Sequence, residues 1–168
     1  MNQLRIIEDR DRPEHPLDVV ERIASLRHWI FDRAETDEMS VTVAGRWAEY
    51  NVAFTWIEDV EALHVAACFD LKLPERRRTE VSRLVGLVNE QLWIGHFDLW
   101  SSDHCVMFRH SLLLSGGLAP TPAQCAMLMK SAIDACERYY QAFQFVIWAG
   151  KTARESLDAV LFETEGEA

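Results

Sequence analysis

The sequence lacks the short motifs that mark most enzyme and cofactor sites. It contains no G-x-S-x-G elbow and no Ser-x-x-Lys pair, and its Gly116-Gly117 pair is not part of a phosphate-binding loop. None of its four cysteines belongs to a C-x-x-C pair, which argues against a zinc site. We therefore expect a protein that is not an enzyme and that holds no cofactor and no metal ion.

Net positive charge and long apolar runs are missing as well. Lys and Arg number 17 against 27 Asp and Glu, a net charge of −10, which argues against a general nucleic-acid or anionic-membrane surface. The apolar runs, such as 145–149, are far shorter than the roughly 20 residues that a membrane-spanning helix needs. The first fifteen residues are charged and lack the apolar core of a signal peptide. The expected protein is cytoplasmic, with no nucleic-acid and no membrane partner.

The composition is that of one folded domain. A chain of 168 residues, of which 49 % are hydrophobic, can bury roughly two-thirds of its unfolded surface without disulfides or metals. Residues 1–14 mix charges without a period and predict an extended N-terminal segment. A single domain is predicted over 15–163, followed by an acidic tail over 164–168.

The four cysteines fit a reducing compartment, because a cytoplasmic chain normally keeps scattered thiols reduced. Cys125 and Cys136 lie three helical turns apart among apolar residues. We expect them to be buried thiols, the alternative being a reactive cysteine.

Apolar residues that recur with the helical period predict four helices. The first covers 17–34, with Ile30 on its buried stripe. The second covers 74–95, with a proline in its first turn and a glycine at its end. The third covers 121–148, and a short fourth helix follows Thr152. Each of these last two opens with a capping box.

Alternating apolar and polar residues predict five strands. The strands cover 41–47, 50–56, 63–71, 97–99 and 106–114. The first three are joined too closely for a parallel crossover and must form an antiparallel meander, and the last two form a hairpin. The order α-β-β-β-α-β-β-α-α is that of an α+β protein with a single antiparallel sheet of about five strands and helices packed on it.

Polar residues on the predicted hairpin form the most suggestive cluster. A two-residue turn places His96 opposite Arg109 and puts Asp98 on the same face, away from His110. This register predicts a solvated polar group of His96, Asp98 and Arg109. A three-residue turn would instead place His96, Asp98 and His110 on one face, where they could bind a metal ion.

The long third helix carries more aromatic and methionine residues than one buried face needs. Met127, Tyr139, Tyr140 and Phe143 are distributed around much of its circumference and are candidate interface residues. We expect a homodimer that buries them against a second copy, together with apolar strand residues such as Met107 and Leu113 that one layer of helices would leave uncovered. The alternative is a central helix that is enclosed within the monomer.

Several stretches of the chain resemble the YbjN family of bacterial sensory transduction regulators, and together they cover nearly the whole length. They are the entry segment 15–21, the run 89–99, the stretch Phe-Arg-His-Ser-Leu-Leu-Leu at 108–114, the stretch Tyr-Tyr-Gln-Ala-Phe-Gln-Phe-Val-Ile-Trp-Ala-Gly-Lys at 139–151, and the ending 164–168. The resemblance implies a fold similar to that of type III secretion chaperones, which are commonly dimers, with the order α-β-β-β-α-β-β-α.

The resemblance also implies a cytoplasmic, non-enzymatic regulator that acts through protein contacts, with no catalytic residues to carry over. Among the residues that match the family's motifs, Gly95 is expected to end a helix and Phe97 to lie in the core. Asn89 is expected to form hydrogen bonds that connect a helix to a strand. Arg109 also matches these motifs and is expected to be structural.

Two functions are therefore compared. The first is a regulator or chaperone-like module that binds a protein, which predicts a filled core and exposed apolar patches. The second is a small-ligand-binding protein or enzyme of a cone-shaped α+β fold, with a pocket between the sheet and the helices. That fold predicts a deep cavity lined by polar groups such as His64, His96 and Asp98.

Overall fold

The computed structural model describes residues 12–165. The helices are α1 (Pro16–Leu26), α2 (Arg78–Asn89), α3 (Pro122–Ile147) and α4 (Ala153–Glu165). The strands are β1 (Ile30–Glu35), β2 (Glu38–Ala44), β3 (Glu49–Ile57), β4 (Ala62–Cys68), β5 (His96–Trp100) and β6 (Cys105–Leu113). The fold is α+β with one antiparallel sheet, as the sequence predicts, but the sheet has six strands rather than five.

The order of the strands in the sheet is β1-β2-β3-β4-β6-β5, and all neighbours are antiparallel. The predicted meander is confirmed, since β2, β3 and β4 are consecutive neighbours. α2 connects β4 to the edge strand β5, and the β5-β6 hairpin then returns β6 to the side of β4. Two strands that are distant in sequence, β4 and β6, thus meet inside the sheet.

The additional strand, β1, lies where the sequence predicts the last turns of the first helix, over 17–34. α1 ends earlier because His28 adopts a left-handed conformation, with φ 55°. The amide of His28 donates to the carbonyl of Ser25 at 3.1 Å, and the amide of Trp29 donates to the carbonyl of Ala24 at 3.0 Å. This is the hydrogen-bond pattern of a Schellman cap, which glycine usually completes. Because His28 occupies the position of that glycine, the sequence does not mark the helix end, and the predicted end at residue 34 is wrong.

Other boundaries differ by smaller amounts. Ile30, which the helical interpretation places on a buried stripe, is 76 % exposed in β1. Trp47 lies in the turn after β2 rather than in a strand. α2 is shorter than the predicted helix over 74–95 at both ends. A 3₁₀ turn at Glu75–Arg77 precedes it, and it ends six residues before Gly95.

The core lies between one face of the sheet and three helices. α1 packs on β1, β2 and β3, α3 packs on β3, β4 and β6, and α2 packs on β5. Along β3 the buried residues alternate with exposed or half-buried ones, as expected for a strand with one covered face. The buried residues of β3 are Tyr50, Val52, Phe54 and Trp56.

Both predicted capping boxes are present. At the start of α3, Thr121 Oγ1 accepts from the amide of Gln124 at 3.1 Å, and the Gln124 side chain accepts from the amide of Thr121 at 2.8 Å. Before α4, Thr152 Oγ1 accepts from the amide of Glu155 at 3.3 Å, and Glu155 Oε2 accepts from the amide of Thr152 at 3.0 Å. These bonds satisfy amides that a helix start leaves without partners.

The predicted terminal segments lie mostly outside the described residues. Of the N-terminal segment 1–14, residues 1–11 fall outside them, and 12–14 precede α1. α4 continues to Glu165, so the predicted acidic tail over 164–168 begins inside a helix, and 166–168 lie outside the described residues. No helix within 12–165 is long and apolar enough to cross a membrane.

Candidate functional site

The candidate site is the face of the sheet that points away from the helices, which we call the outer face. Its side chains are exposed or half-buried, in contrast to the buried residues between them. The strand registers place on this face Ser40, Thr42, Asn51, Ala53, Thr55, His64, Ala66, Cys68, Met107, Arg109, Ser111, His96, Asp98 and Trp100. Within residues 12–165 no helix covers this face.

Arg109 holds together the polar cluster of this face. Its Nη1 donates to Asp98 Oδ2 at 3.4 Å, and its Nε donates to His64 Nε2 at 3.3 Å. The guanidinium carbon lies 5.4 Å from the centre of the Trp100 ring, within the range of a cation–π contact. His96 pairs with Arg109 across β5 and β6, which is the register expected for a two-residue turn. The structure therefore brings the three predicted residues together and adds His64 and Trp100.

The electrostatics of the cluster favour the neutral form of His64. Burial lowers the pKa of its imidazole, and the neighbouring Arg109 cation lowers that pKa further. A neutral imidazole is also the form that can accept the bond from Arg109 Nε. Burial lowers the pKa of His110 in the same direction, with His96 as the second cause.

Acidification is expected to destabilise the fold through these histidines. With folded pKa values below the ordinary value of about 6.5, the unfolded chain binds more protons as the pH falls through that value. The stability that they contribute is present above about pH 6.5 and is lost below it. Urea unfolding between about pH 7 and 5 should show a smaller loss of stability in His64→Gln than in the wild-type protein.

The control is His104→Asn, because His104 is an exposed turn residue with φ 51°, which asparagine tolerates. This variant should keep the wild-type pH dependence. If His64→Gln had the same pH dependence as the wild-type protein, the acid destabilisation could not be assigned to His64.

The alternative metal arrangement of the hairpin is not formed. His110 pairs with Val65, a buried residue of the helix-covered face, so it lies opposite the side that carries His96 and Asp98. Within 12–165 no three His, Cys, Asp or Glu side chains are grouped as metal ligands. The three-residue turn that would have put these groups on one face is therefore wrong.

The motif residues at the start of β5 make a connection between helix and strand. Asn89 Nδ2 donates to the carbonyl of Phe97 at 3.0 Å, and Asn89 Oδ1 accepts from the amide of Phe97 at 2.8 Å. Phe97 itself is 1 % exposed and lies in the core, as predicted. Gly95 does not end α2. It has φ 69° and lies against Phe108, so its role is to let the chain enter β5.

The candidate interface residues of α3 are placed differently from the prediction. Met127 is 56 % exposed, whereas Tyr139, Tyr140 and Phe143 are buried. Phe143 packs against Phe97 with ring centres 5.4 Å apart. The aromatic excess of α3 is explained by packing within the monomer, which was the alternative. An interface made of these three aromatic residues is therefore wrong.

Two exposed tryptophans were not singled out from the sequence. Trp93, in the turn before β5, is fully exposed, and Trp100 is 38 % exposed on the outer face. Trp93 lies in a turn, where the alternation that distinguishes inward from outward positions is lost. Trp100 continues the alternation of β5 on the face of His96 and Asp98, so the hairpin register was a signal for it. For exposed tryptophans in general, the sequence signal was the composition, with six tryptophans in 168 residues.

These features define the class of the protein: an α+β domain with helices on one side of a single antiparallel sheet and an open polar face on the other. Over residues 16–145 the chain matches the sequence model of the YbjN family, which is described as "putative bacterial sensory transduction regulator". Because this match covers most of the chain, the protein belongs to the YbjN family, and the family description supports a regulatory role. Comparison with curated proteins and with solved structures finds no match.

Proposed function

We propose that this protein is a cytoplasmic, non-enzymatic regulator that acts by binding another protein through the outer face of its sheet. The observation that supports this most directly is the open face itself, where Arg109, Asp98 and His64 adjoin the exposed ring of Trp100. Arginine and aromatic side chains are enriched at the centres of protein interfaces. A regulatory family supports a role that depends on contacts rather than on catalysis.

Chaperone-like binding is the finer form of this proposal. The described elements follow the order α-β-β-β-β-α-β-β-α-α, which contains the α-β-β-β-α-β-β-α order of type III secretion chaperones with β1 and α4 added. That correspondence supports a surface that holds a client segment.

The competing function, a small-ligand-binding protein or enzyme with a pocket between sheet and helices, is supported less well. The space between them is filled by a contiguous apolar core. His64 and Asp98, the polar groups expected to line such a pocket, lie on the opposite side of the sheet. An open depression along α1 is lined by Asp18, Glu21, Arg22, Ser25 and Leu26, and it is not enclosed.

Affinity capture of the full-length protein from its native host, with identification of partners by mass spectrometry, tests the proposal. Trp100→Ala should lose the captured partner by roughly 30-fold or more, because truncating a central interface tryptophan costs about 2 kcal/mol or more. The matched control is Trp148→Ala, since Trp148 is 66 % exposed on the helical side. Equal capture by both variants would reject the outer face as the binding surface.

We further propose a homodimer, with its contact not on α3 but at the corner of the outer face that lies at the opposite end of β4 and β6 from Trp100. At this corner Leu113, which is 69 % exposed, and Ile57, which is 39 % exposed, lie on either side of the buried Ala62. A twofold contact through this corner would bury each copy's patch against the other. A stable contact should remove on the order of 1,200–2,000 Å² from water.

Leu113→Glu is expected to convert the dimer to a monomer, because it places an unpaired charge in the apolar contact. The mass measured by light scattering coupled to gel filtration should change from twice 19.4 kDa to 19.4 kDa. Met127→Glu, an exposed position on α3, should remain dimeric. A wild-type mass of 19.4 kDa at every concentration would reject the dimer. If Met127→Glu dissociated the dimer and Leu113→Glu did not, the contact would lie on α3 instead.

A further inference from the structure

Two cysteines meet at one end of the outer face. Cys68 is the last residue of β4 and Cys105 is the first residue of β6. Cys68 pairs with Met107, so Cys105 is its diagonal neighbour on the same face of the adjacent strand. The two Sγ atoms are 3.0 Å apart, and both residues are free and half-buried. Since a disulfide bond is about 2.05 Å long, the sulfurs need to approach by roughly 1 Å to form one.

We propose that Cys68 and Cys105 are a site of reversible oxidation, at which glutathione disulfide converts the two thiols into an intramolecular disulfide. This inference does not depend on the proposed binding function, since it concerns the covalent state of the chain. The other two cysteines do not share the geometry. Cys125 and Cys136 are buried on α3, and eleven residues of helix separate them by about 16 Å.

The reaction proceeds by two thiol–disulfide exchanges. In the first, the Cys105 thiol gives up its proton, and its thiolate sulfur attacks glutathione disulfide to form a Cys105–glutathione mixed disulfide and release one glutathione thiolate. In the second, the Cys68 thiol gives up its proton, its sulfur attacks Cys105 Sγ, the mixed disulfide breaks, and a second glutathione thiolate leaves. The two released thiolates take up the two protons, so the chain loses two electrons and two protons to one glutathione disulfide.

The order of the steps follows from the surroundings of Cys68. Burial raises the pKa of the Cys68 thiol to about 12, with the hydrogen bond to Cys105 as the second cause. The first exchange is assigned to Cys105 because it adjoins the exposed turn 101–104, where glutathione disulfide can approach from solvent. The second exchange is aided by proximity, because its two sulfurs are already in contact.

The disulfide would act on the end of the sheet that carries Trp100. Cys105 is the register partner of Trp100, and the sequence separation of the two cysteines is 37 residues. Closing a loop of this length restricts the unfolded chain. In the folded chain it would tie the start of β6 to the end of β4, so the outer face would exist in a reduced and an oxidised form.

The test uses the reduced full-length protein, incubated in glutathione buffers of increasing disulfide content, quenched with acid and alkylated. Intact mass spectrometry should show the loss of two of the four alkylatable thiols and of two hydrogen masses. A peptide map under non-reducing conditions should link the peptide of Cys68 to that of Cys105. The rate of the final step should rise with pH, since Cys68 must ionise.

Matched variants separate this site from the other thiols. Cys125→Ala/Cys136→Ala should form the same disulfide, whereas Cys68→Ala should stop at one glutathione adduct on Cys105. If Cys68→Ala fails to fold, the peptide map of the wild-type protein still decides the question. Four thiols that remain alkylatable in the most oxidising buffer, adducts that never resolve, or a map that links other cysteines would each overturn the proposal.

Discussion

Replacing Phe97 by alanine is expected to lower the free energy of unfolding by about 3–5 kcal/mol, through lost burial and the cavity that remains. The ring is 1 % exposed, and it contacts aromatic residues from three other parts of the fold. These are Phe69 after β4, Phe108 on β6, and Tyr139 and Phe143 on α3, with ring centres 5.7, 5.5, 6.0 and 5.4 Å away.

Denaturant unfolding measures this effect, and Trp93→Ala is its control. The Trp93 side chain is fully exposed, so its removal should change stability by no more than about 0.5 kcal/mol. A Phe97→Ala protein within about 1 kcal/mol of the wild-type protein would show that the aromatic cluster repacks freely.

Gly95→Ala is expected to cost about 2–5 kcal/mol, from backbone strain together with overpacking. At φ 69° the backbone is in the left-handed region, which a side chain disfavours. A Cβ atom there would lie 2.2 Å from Phe108 Cζ and 2.8 Å from the carbonyl oxygen of Arg109. The second contact is with backbone and cannot be relieved by a rotamer change.

Gly86→Ala is the matched control, because Gly86 lies within α2 and a Cβ atom there would meet nothing within 4 Å. It should raise stability by about 0.5–1 kcal/mol, since alanine is the better helix former. Thermal or urea unfolding compares the two variants directly. If Gly95→Ala were as stable as Gly86→Ala, the segment that enters β5 would have to move away from Phe108 to make room for the Cβ atom.

Local chemistry made most of the elements predictable from the sequence. The alternation of β2, β3 and β4 and their short connections require an antiparallel meander, and the capping boxes at Thr121 and Thr152 mark two helix starts. β1 could not be found in the same way. The left-handed residue that ends α1 is His28, and a histidine in that position carries no sequence signal.

The site was predictable within the hairpin, and beyond it only His64 was named, as a pocket-lining group of the alternative function. His96, Asp98 and Arg109 share one hairpin, so turn geometry alone relates them. His64 and Cys68 join the same face only because β6 pairs with β4, a contact between strands separated by a helix and another strand. Arg77 shows the same limit, since its Nε donates to the carbonyl of Val146 at 2.7 Å, a partner 69 residues away.

The pair of bonds that Asn89 makes with Phe97 has a consequence for how the sheet can grow. β5 is an edge strand, and an unpaired edge is a template for adding a strand from another chain. The Asn89 amide occupies the amide and carbonyl of Phe97 as a neighbouring strand would, and Asp98 Oδ1 accepts from the amide of Leu99 at 2.8 Å.

The opposite edge is protected by other means. β1 is irregular in its pairing between Asp32 and Glu35, and it carries charged side chains. A peptide that extended the sheet would have to displace the Asn89 side chain from β5 or pair with the irregular, charged strand β1. For the protein partner that we propose, these edges would favour side-chain contacts over main-chain pairing, and side-chain contacts can discriminate between sequences.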